Sequence, residues 1–503
     1  MASDLEKAKD PTKLRRIAIE PVSRVEGHGK VTILLDDQHK VHQVRLHIVE
    51  FRGFERFIQG RPYWEVPVMV QRLCGICPVS HHLAASKALD QVVGVRQLPP
   101  TAEKVRRLMH YGQMLQSHAL HFFHLSSPDL LFGFDSEPER RNIVGVIGAY
   151  PDLARQGVLL RKFGQEAIRI TAGKRVHGTG SVPGGVNKAV SAAERQELAS
   201  ALPQVLEWAQ AGVRLVAQLH ARQRDTYERF GTVRSSLLSL VGKDGALDLY
   251  DGVLRARDAD GAIIFDGVEP ADYHTQLREN VRSWSYMKFP FIHSRGPDDG
   301  WYKVGPLARV QNCDRIGTPL AEAARQELLA TSPGQLLHAP LLFHWARMIE
   351  LLHAAEVIGE LLQDPALEHG ELTATGVRGT TGVGIIEAPR GTLIHHYEVD
   401  SQDLVTMCNL IVSTTHNNQA MNEAIREVAR QYLDGHEPTE GLLNHIEVAI
   451  RAFDPCLSCA THALGKMPLV VEVQDALGQL VGRRQRDGEG VVIDGPSGAG
   501  PAA

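Results

Sequence analysis

The stretch "QRLCGICPVSHH", residues 71–82, sets two cysteines two residues apart, with a histidine four positions beyond the second. Residues 454–462, "DPCLSCATH", repeat the device near the other end of the chain. The two pairs use four of the six cysteines, the others being Cys313 and Cys408. A Cys-x-x-Cys can chelate one soft ion, and two such pairs complete a four-sulfur site. The commonest four-sulfur site is structural zinc, whose pairs are ordinarily separated by a short loop rather than by most of a chain. Two independent redox dithiols are a second reading, although neither pair stands in a strand–helix–strand context. Spacing alone therefore leaves zinc and other thiophilic metals open.

Composition narrows the field. The 503 residues are 43% hydrophobic and 22% charged, ordinary for a soluble globular protein. A net charge of −5 with no long basic run gives no footprint for nucleic acid or anionic lipid. The start, "MASDLEKAKDPTKLRR", lacks the apolar core of a secretory signal. No window reaches the length of an uninterrupted apolar span, and "LLFHWARMIELLHAAEVIGELL" reads as an amphipathic helix because it carries Arg347 and three glutamates. Sparse cysteines exclude a disulfide scaffold, so a cytoplasmic protein is expected.

Alternation in "KVTILL" and "VHQVRLHIVE", joined by "DDQHK", predicts an antiparallel meander near the N-terminus. Helical periodicity follows from about residue 83, with helices expected over 101–125, 154–171, 191–229, 337–363 and 417–433. The expected class is α+β and helix-dominated: a central bundle of long helices, the N-terminal meander, and small peripheral β elements. No linker divides residues 15–462, whereas the Gly/Pro/Ala-rich end beyond them has little capacity to pack.

The flanking residues are more specific than the spacing. "RLCGIC…H" and "DPCLSCATH" resemble the two metal-binding signatures of nickel–iron hydrogenase large subunits, R-x-C-G-x-C-x-x-x-H and D-P-C-x-x-C-x-x-H. "SRVEGHG" (23–29), "FRGFERF" (51–57), "VPGGV" (182–186), "EAPRGTLIHH" (387–396) and "VSTTHNN" (412–418) resemble further family segments in the same order. Finer wording, such as "MLQSHALHFF" and "WSYMKFP", resembles the hydrogen-activating subunit of soluble bidirectional NAD-reducing hydrogenases. A branch linked to NADP or a deazaflavin is the alternative within the family. A quinone-reductase subunit of the respiratory complex, similar in fold, lacks the four cysteines.

The resemblance implies roles. Cys74 and Cys456 would bind nickel terminally, while Cys77 and Cys459 would bridge it to an iron carrying carbon monoxide and two cyanides. Cys456 would be the proton-accepting base and Glu26 the first proton relay. Arg390, after Pro389, would stand over the open side of the metals and pair with Asp454. His81 would donate toward a bridging sulfur and Thr414 toward a cyanide. Glu55, the backbone carbonyl of Leu410, and His462 would ligate magnesium.

Ser117 departs from the pattern, because many relatives carry an aspartate there that helps hold the arginine. His118, His121 and His124 on the same helix read as a satisfied, partly buried face rather than a metal site. Family processing implies a cut between His462 and Ala463, so that 1–462 is the mature domain and 463–503 an extension removed on maturation. The implied partners are a small iron–sulfur subunit, flavin- and NAD-binding diaphorase subunits, a maturation chaperone and a C-terminal protease.

Overall fold

A computed structural model describes residues 14–282 and 284–461, together with three strand segments at 469–474, 480–486 and 492–494. His462 and Ala463 lie outside the described residues. The expected meander is present as β1 (Arg15–Ile19), β2 (Gly29–Leu35) and β3 (Val41–Ile48), with Ile19 opposite Val31 and Gly29 opposite Ile48. Its tight turn forms because Asp36 Oδ1 accepts the amides of Gln38 and Lys40, both at 2.9 Å. Val31, Ile33, Leu35, Val44, Leu46 and Ile48 turn into the main core.

After the short helix α1 (Phe54–Ile58) comes α2 (Pro78–Val92), which starts on the residue after Cys77 with proline in its first turn. Three long helices follow: α3 (Pro100–Leu120), α4 (Pro151–Ala172) and α5 (Ala192–Arg222). Serine and glutamate at 191 and 194 form a capping box at the start of α5. Helices α3 and α4 touch backbone to backbone: a Cβ on Gly164 would lie 2.5 Å from the carbonyl oxygen of Gly112. Beyond α3 the helix widens into a π turn over His121–Ser126.

Strands β4 (Ser236–Val241), β5 (Val253–Arg257) and β6 (Ile263–Val268) form an antiparallel run, extended by a parallel two-residue strand, Tyr302–Lys303. Two helices then lead into the region of the site, α6 (Pro306–Asn312) and α7 (Phe343–Gln363). The first turns of α7 are buried on every side, including Arg347 and Glu350. The charges that marked this helix as amphipathic divide along it: Arg347 and Glu350 find buried partners, whereas Glu356 is half-buried and Glu360 exposed. No helix among the described residues is long and apolar enough to cross a membrane.

A further three-stranded sheet contains β7 (Thr381–Ala388), β8 (Gly391–Val399) and β9 (Val405–Ile411). It lies against α2, and Gly382 and Gly384 allow the contact, since a Cβ on Gly384 would sit 2.1 Å from the Ala84 carbonyl oxygen. This sheet is therefore interior rather than peripheral. Helices α8 (Asn418–Tyr432) and α9 (Glu440–Ala452) complete the fold, and α9 ends two residues before Asp454. The class is a mixed α+β fold. Helix α9 and this sheet escaped the periodicity reading.

Candidate metal centre

Cys74, Cys77, Cys456 and Cys459 meet in the interior, with all four sulfurs within 4.8 Å of one another. The separations are 3.1 Å for Cys74–Cys456, 3.7 Å for Cys77–Cys459 and 2.7 Å for Cys456–Cys459. Among the described residues this is the one group of three or more His, Cys, Asp or Glu side chains that could hold a metal. Cys313 and Cys408 are buried but are not part of this group, and burial pushes the Cys313 thiol up to about 12.

The first pair owes its shape to local backbone. Cys77 is the N-cap of α2, and the amides of Ile76 and Cys77 donate to Cys74 Sγ at 3.2 and 3.3 Å. The second pair is held by side chains from elsewhere. The Cys456 amide donates to Thr414 Oγ1 at 2.9 Å, and Asp454 adopts φ 53°, a left-handed conformation at the end of α9.

Residues near the N-terminus close the other flank. Glu26 pairs with Cys456 as an isolated parallel bridge, and the Leu457 amide donates to the Glu26 carbonyl at 2.9 Å. Cys456 Sγ donates to Glu26 Oε2 at 2.9 Å, and the Ser458 amide donates to the same oxygen at 3.2 Å. The Ser458 hydroxyl donates to the other carboxylate oxygen. Gly27 makes this approach feasible: its φ is 82°, and a Cβ there would lie 2.6 Å from the Ser458 nitrogen.

Arg390 sits in the two-residue turn between β7 and β8, where Ala388 pairs with Gly391. Its guanidinium, 3% exposed, donates to Asp454 Oδ1 at 3.0 Å and reaches Ser117 Oγ only at 3.5 Å. Burial raises the Asp454 carboxyl, and Arg390 and Arg347 oppose that rise. Burial likewise opposes ionisation of Cys74, but hydrogen bonds from Cys456, Cys459 and Cys77 outweigh it and hold that thiol below its ordinary range. Cys456 and Cys459 are pushed up, with burial the main cause. Four thiolates in this space need a soft cation to offset their charge, so the donor set suits a thiophilic metal centre.

A small cavity borders the sulfurs, lined by Cys77, His81, Pro389, Arg390, Thr414 and Cys459 among others. His81 Nδ1 lies 3.1 Å from His395 Nε2, and His395 Nδ1 lies 2.6 Å from the Tyr397 hydroxyl. Burial lowers the His81 pKa to about 4, which keeps the ring neutral.

Glu55 lies on α1, where its Oε1 accepts the Leu410 amide at 2.8 Å. The amides of Arg52 and Gly53 donate to the Thr461 carbonyl at 3.1 and 3.3 Å, which brings the chain just before His462 beside the start of α1.

Sequence reasoning missed Ser458, the His395–Tyr397 pair, and Arg309, which bridges Glu350 and Glu387. The available signals were a serine inside the second signature and isolated charges within apolar runs.

A family model described as nickel-dependent hydrogenase matches residues 52–131 and 250–462, and one described as HoxL-like matches residues 16–51. The chain belongs to the nickel-dependent hydrogenases. Among relatives, it is 50% identical over 490 residues to the beta subunit of the NAD-reducing hydrogenase HoxS of Cupriavidus necator, covering 94% of this chain and 100% of that protein. It is 40% identical over 475 residues to an F420-non-reducing hydrogenase chain of Methanothermobacter thermautotrophicus, covering 93% and 99%. A crystal structure of an NAD+-reducing NiFe-hydrogenase in the H2-reduced state has TM-score 0.88 and 61% identity, covering 89% of this chain and 99% of that one. The Ni-Fe-Se hydrogenase of D. vulgaris Hildenborough, at TM-score 0.72 and 24% identity, shares the hydrogenase fold. Membership removes the zinc-clip reading, and the chain is one component of a hydrogenase.

Proposed function

We propose that this chain is the hydrogen-activating large subunit of a cytoplasmic hydrogenase that splits dihydrogen reversibly and passes the electrons to NAD through partner subunits. The observation that carries the reading is the Cys456 Sγ–Glu26 contact at 2.9 Å, set inside a four-sulfur cluster beneath a buried guanidinium. The higher identities, 50% and 61%, are to NAD-reducing enzymes, which favours NAD over the deazaflavin- or NADP-linked alternative.

Cys74, Cys77, Cys456 and Cys459 would hold a nickel–iron pair, which would supply the soft, electron-rich centre that dihydrogen heterolysis requires. Cys456 Sγ takes the proton, and Glu26 Oε2 receives it within hydrogen-bond reach. Ser458 fixes the carboxylate by donating to both of its oxygens. Arg390, held by Asp454 and flanked by Pro389, presents a fixed positive charge in a water-poor pocket. With the Tyr397 hydroxyl donating to His395 and His395 donating to His81, the His81 proton lies on Nε2, ready for a sulfur.

An iron held here would place carbon monoxide and cyanides on the side of the bordering cavity, which Cys77, Arg390, Thr414 and Cys459 help to line. Thr414 Oγ1 already accepts the Cys456 amide, so its hydroxyl hydrogen is left to donate to a cyanide. Magnesium is assigned to Glu55, the Leu410 carbonyl and His462. The tie between Thr461 and residues 52–53 supports that grouping, as does the oxygen-rich donor set.

Maturation by cleavage between His462 and Ala463 is supported by the family match, which ends at residue 462. A maturation chaperone and a C-terminal protease belong to that step. Electrons leave to a small iron–sulfur subunit, then to flavin/NAD-binding diaphorase subunits, since Cys313 and Cys408 are too few for a cluster.

Infrared absorption of the purified complex tests the proposal. Metal-bound carbonyl and cyanide bands, with nickel in the protein and hydrogen-dependent NAD reduction, are expected. Zinc without nickel, or no such bands, would defeat it. Mass spectrometry of the active chain should find His462 at its end.

A further inference from the structure

The histidine helix face that sequence spacing set aside lies directly behind Arg390 and Asp454. His118 Nε2 donates to Glu350 Oε2 at 3.0 Å. Glu350 accepts from Arg309 twice, at 2.6 Å each, and Arg309 also reaches Glu387 at 2.9 Å. The same guanidinium donates to the carbonyls of Ala388 at 2.7 Å and Pro389 at 3.3 Å, the two residues immediately before Arg390. His118, Arg309, Glu350 and Glu387 are all buried, so every link works at low dielectric.

One turn further on, the π-helical segment aims His121 at the other partner. His121 Nε2 donates to the Arg451 carbonyl at 2.6 Å, and the Asp454 amide donates to that same carbonyl at 2.9 Å. The ring stacks on His344, with centroids 5.5 Å apart and planes 13° from parallel, and its Nε2 lies 4.0 Å from Asp454 Oδ1. Arg347 Nη2 donates to the neighbouring Ala452 carbonyl at 3.0 Å. The last carbonyls of α9 are thus capped by two buried donors, directly ahead of the left-handed Asp454.

We infer that His118 and His121 are positioning residues for hydrogen activation, bracing Arg390 and Asp454 respectively over the four-sulfur site. His118 acts through Glu350 and Arg309 on the turn that carries Arg390. His121 acts through the Arg451 carbonyl on the turn that carries Asp454. The brace stands where Ser117 offers Arg390 only a contact at 3.5 Å, so the geometry that a second carboxylate would impose is imposed from behind. His124, one turn beyond and half-buried, reaches neither partner and serves as the internal control.

This inference rests on the hydrogenase reading, and the wild-type complex tests that reading separately: absence of nickel and of carbonyl and cyanide bands defeats the function. Given those bands, His118→Ala and His121→Ala are measured for nickel content, infrared band positions, and kcat and KM for dihydrogen. A misplaced guanidinium–carboxylate pair predicts displaced bands and a kcat lower by about ten- to a hundredfold, with KM within about twofold. His118→Gln and His121→Gln retain a donor nitrogen near the Nε2 position and are expected to restore both bands and kcat. His124→Ala is expected to match wild type. Unchanged bands and kcat in both alanine variants would overturn the inference, as would glutamine variants that fail like the alanine ones. If an alanine variant fails to load nickel, its glutamine counterpart decides: wild-type bands uphold the brace, and displaced bands or absent nickel overturn it.

Discussion

The two Cys-x-x-Cys pairs serve one centre but are built by opposite means. Cys74 and Cys77 are shaped by their own neighbours: backbone amides at 76 and 77 point to a sulfur, and α2 begins on the next residue. Cys456 and Cys459 follow the end of a helix rather than starting one, and only a single 3-10 turn, Ser458–Ala460, lies between and after them. Their geometry is borrowed from Thr414, Glu26, Arg390 and the end of α9. The first pair also has distant support, since Gln113 and Gln116 both donate to the Ile76 carbonyl. The amides that meet its sulfur are its own, however, whereas the second pair depends on every lender.

The sharpest way to break the contrast is to remove a ligand from either side. Cys74→Ser and Cys456→Ala should each abolish hydrogen-dependent NAD reduction, with nickel lost from the purified protein, because both pairs are needed for one site. Removing lenders should then separate them. Glu26→Gln should leave nickel bound while hydrogen–deuterium exchange falls by about a hundredfold or more, the range of a lost general base. Retained exchange would remove Glu26 from the relay. Arg390→Lys should lower kcat by about 10²–10³, the range for a displaced preorganised charge, with the four cysteines still metallated. Thr414→Val strands the Cys456 amide, a buried donor worth about 1–3 kcal/mol, and should lower the thermal midpoint modestly and shift the cyanide bands.

The smallest effect concerns the whole interior. His110, His118 and His353 have pKa values lowered from 6.5 to about 4, and burial is the leading cause for each. In that window the unfolded chain binds protons that the folded chain refuses, so stability should be intact above pH 6.5 and decline as pH falls from 6.5 through about 4. Urea midpoints measured across that range would check the sign, and a midpoint that rises on acidification would contradict it.

How much of this was legible follows the same divide. The first pair, the meander and the long helices carry local signals: cysteine spacing, alternation, and apolar residues at helical period. The metal site was legible because both signatures announce themselves in sequence. Ser458, the bridging Arg309 and the helical face at 118 and 121 were not, since their roles exist only once distant segments meet. The interior position of β7–β9 was hidden for a related reason. Gly382 and Gly384 look like loop punctuation until α2 is laid against them. Arg347 and Glu350 told of a helix that spans no membrane but not of their own burial, which is legible only once their partners are known.

The bridge between Glu26 and Cys456 also bears on the order of synthesis. It joins residues 430 positions apart, so its formation closes a loop containing most of the protein. A ribosome has made the first cysteine pair, all the long helices and the whole β7–β9 sheet before either side of that bridge can meet. Until residue 456 emerges, the growing chain holds half a pocket with an open wall, and the Cys456 sulfur reaches the Glu26 carboxylate only once segments 430 positions apart have both been made.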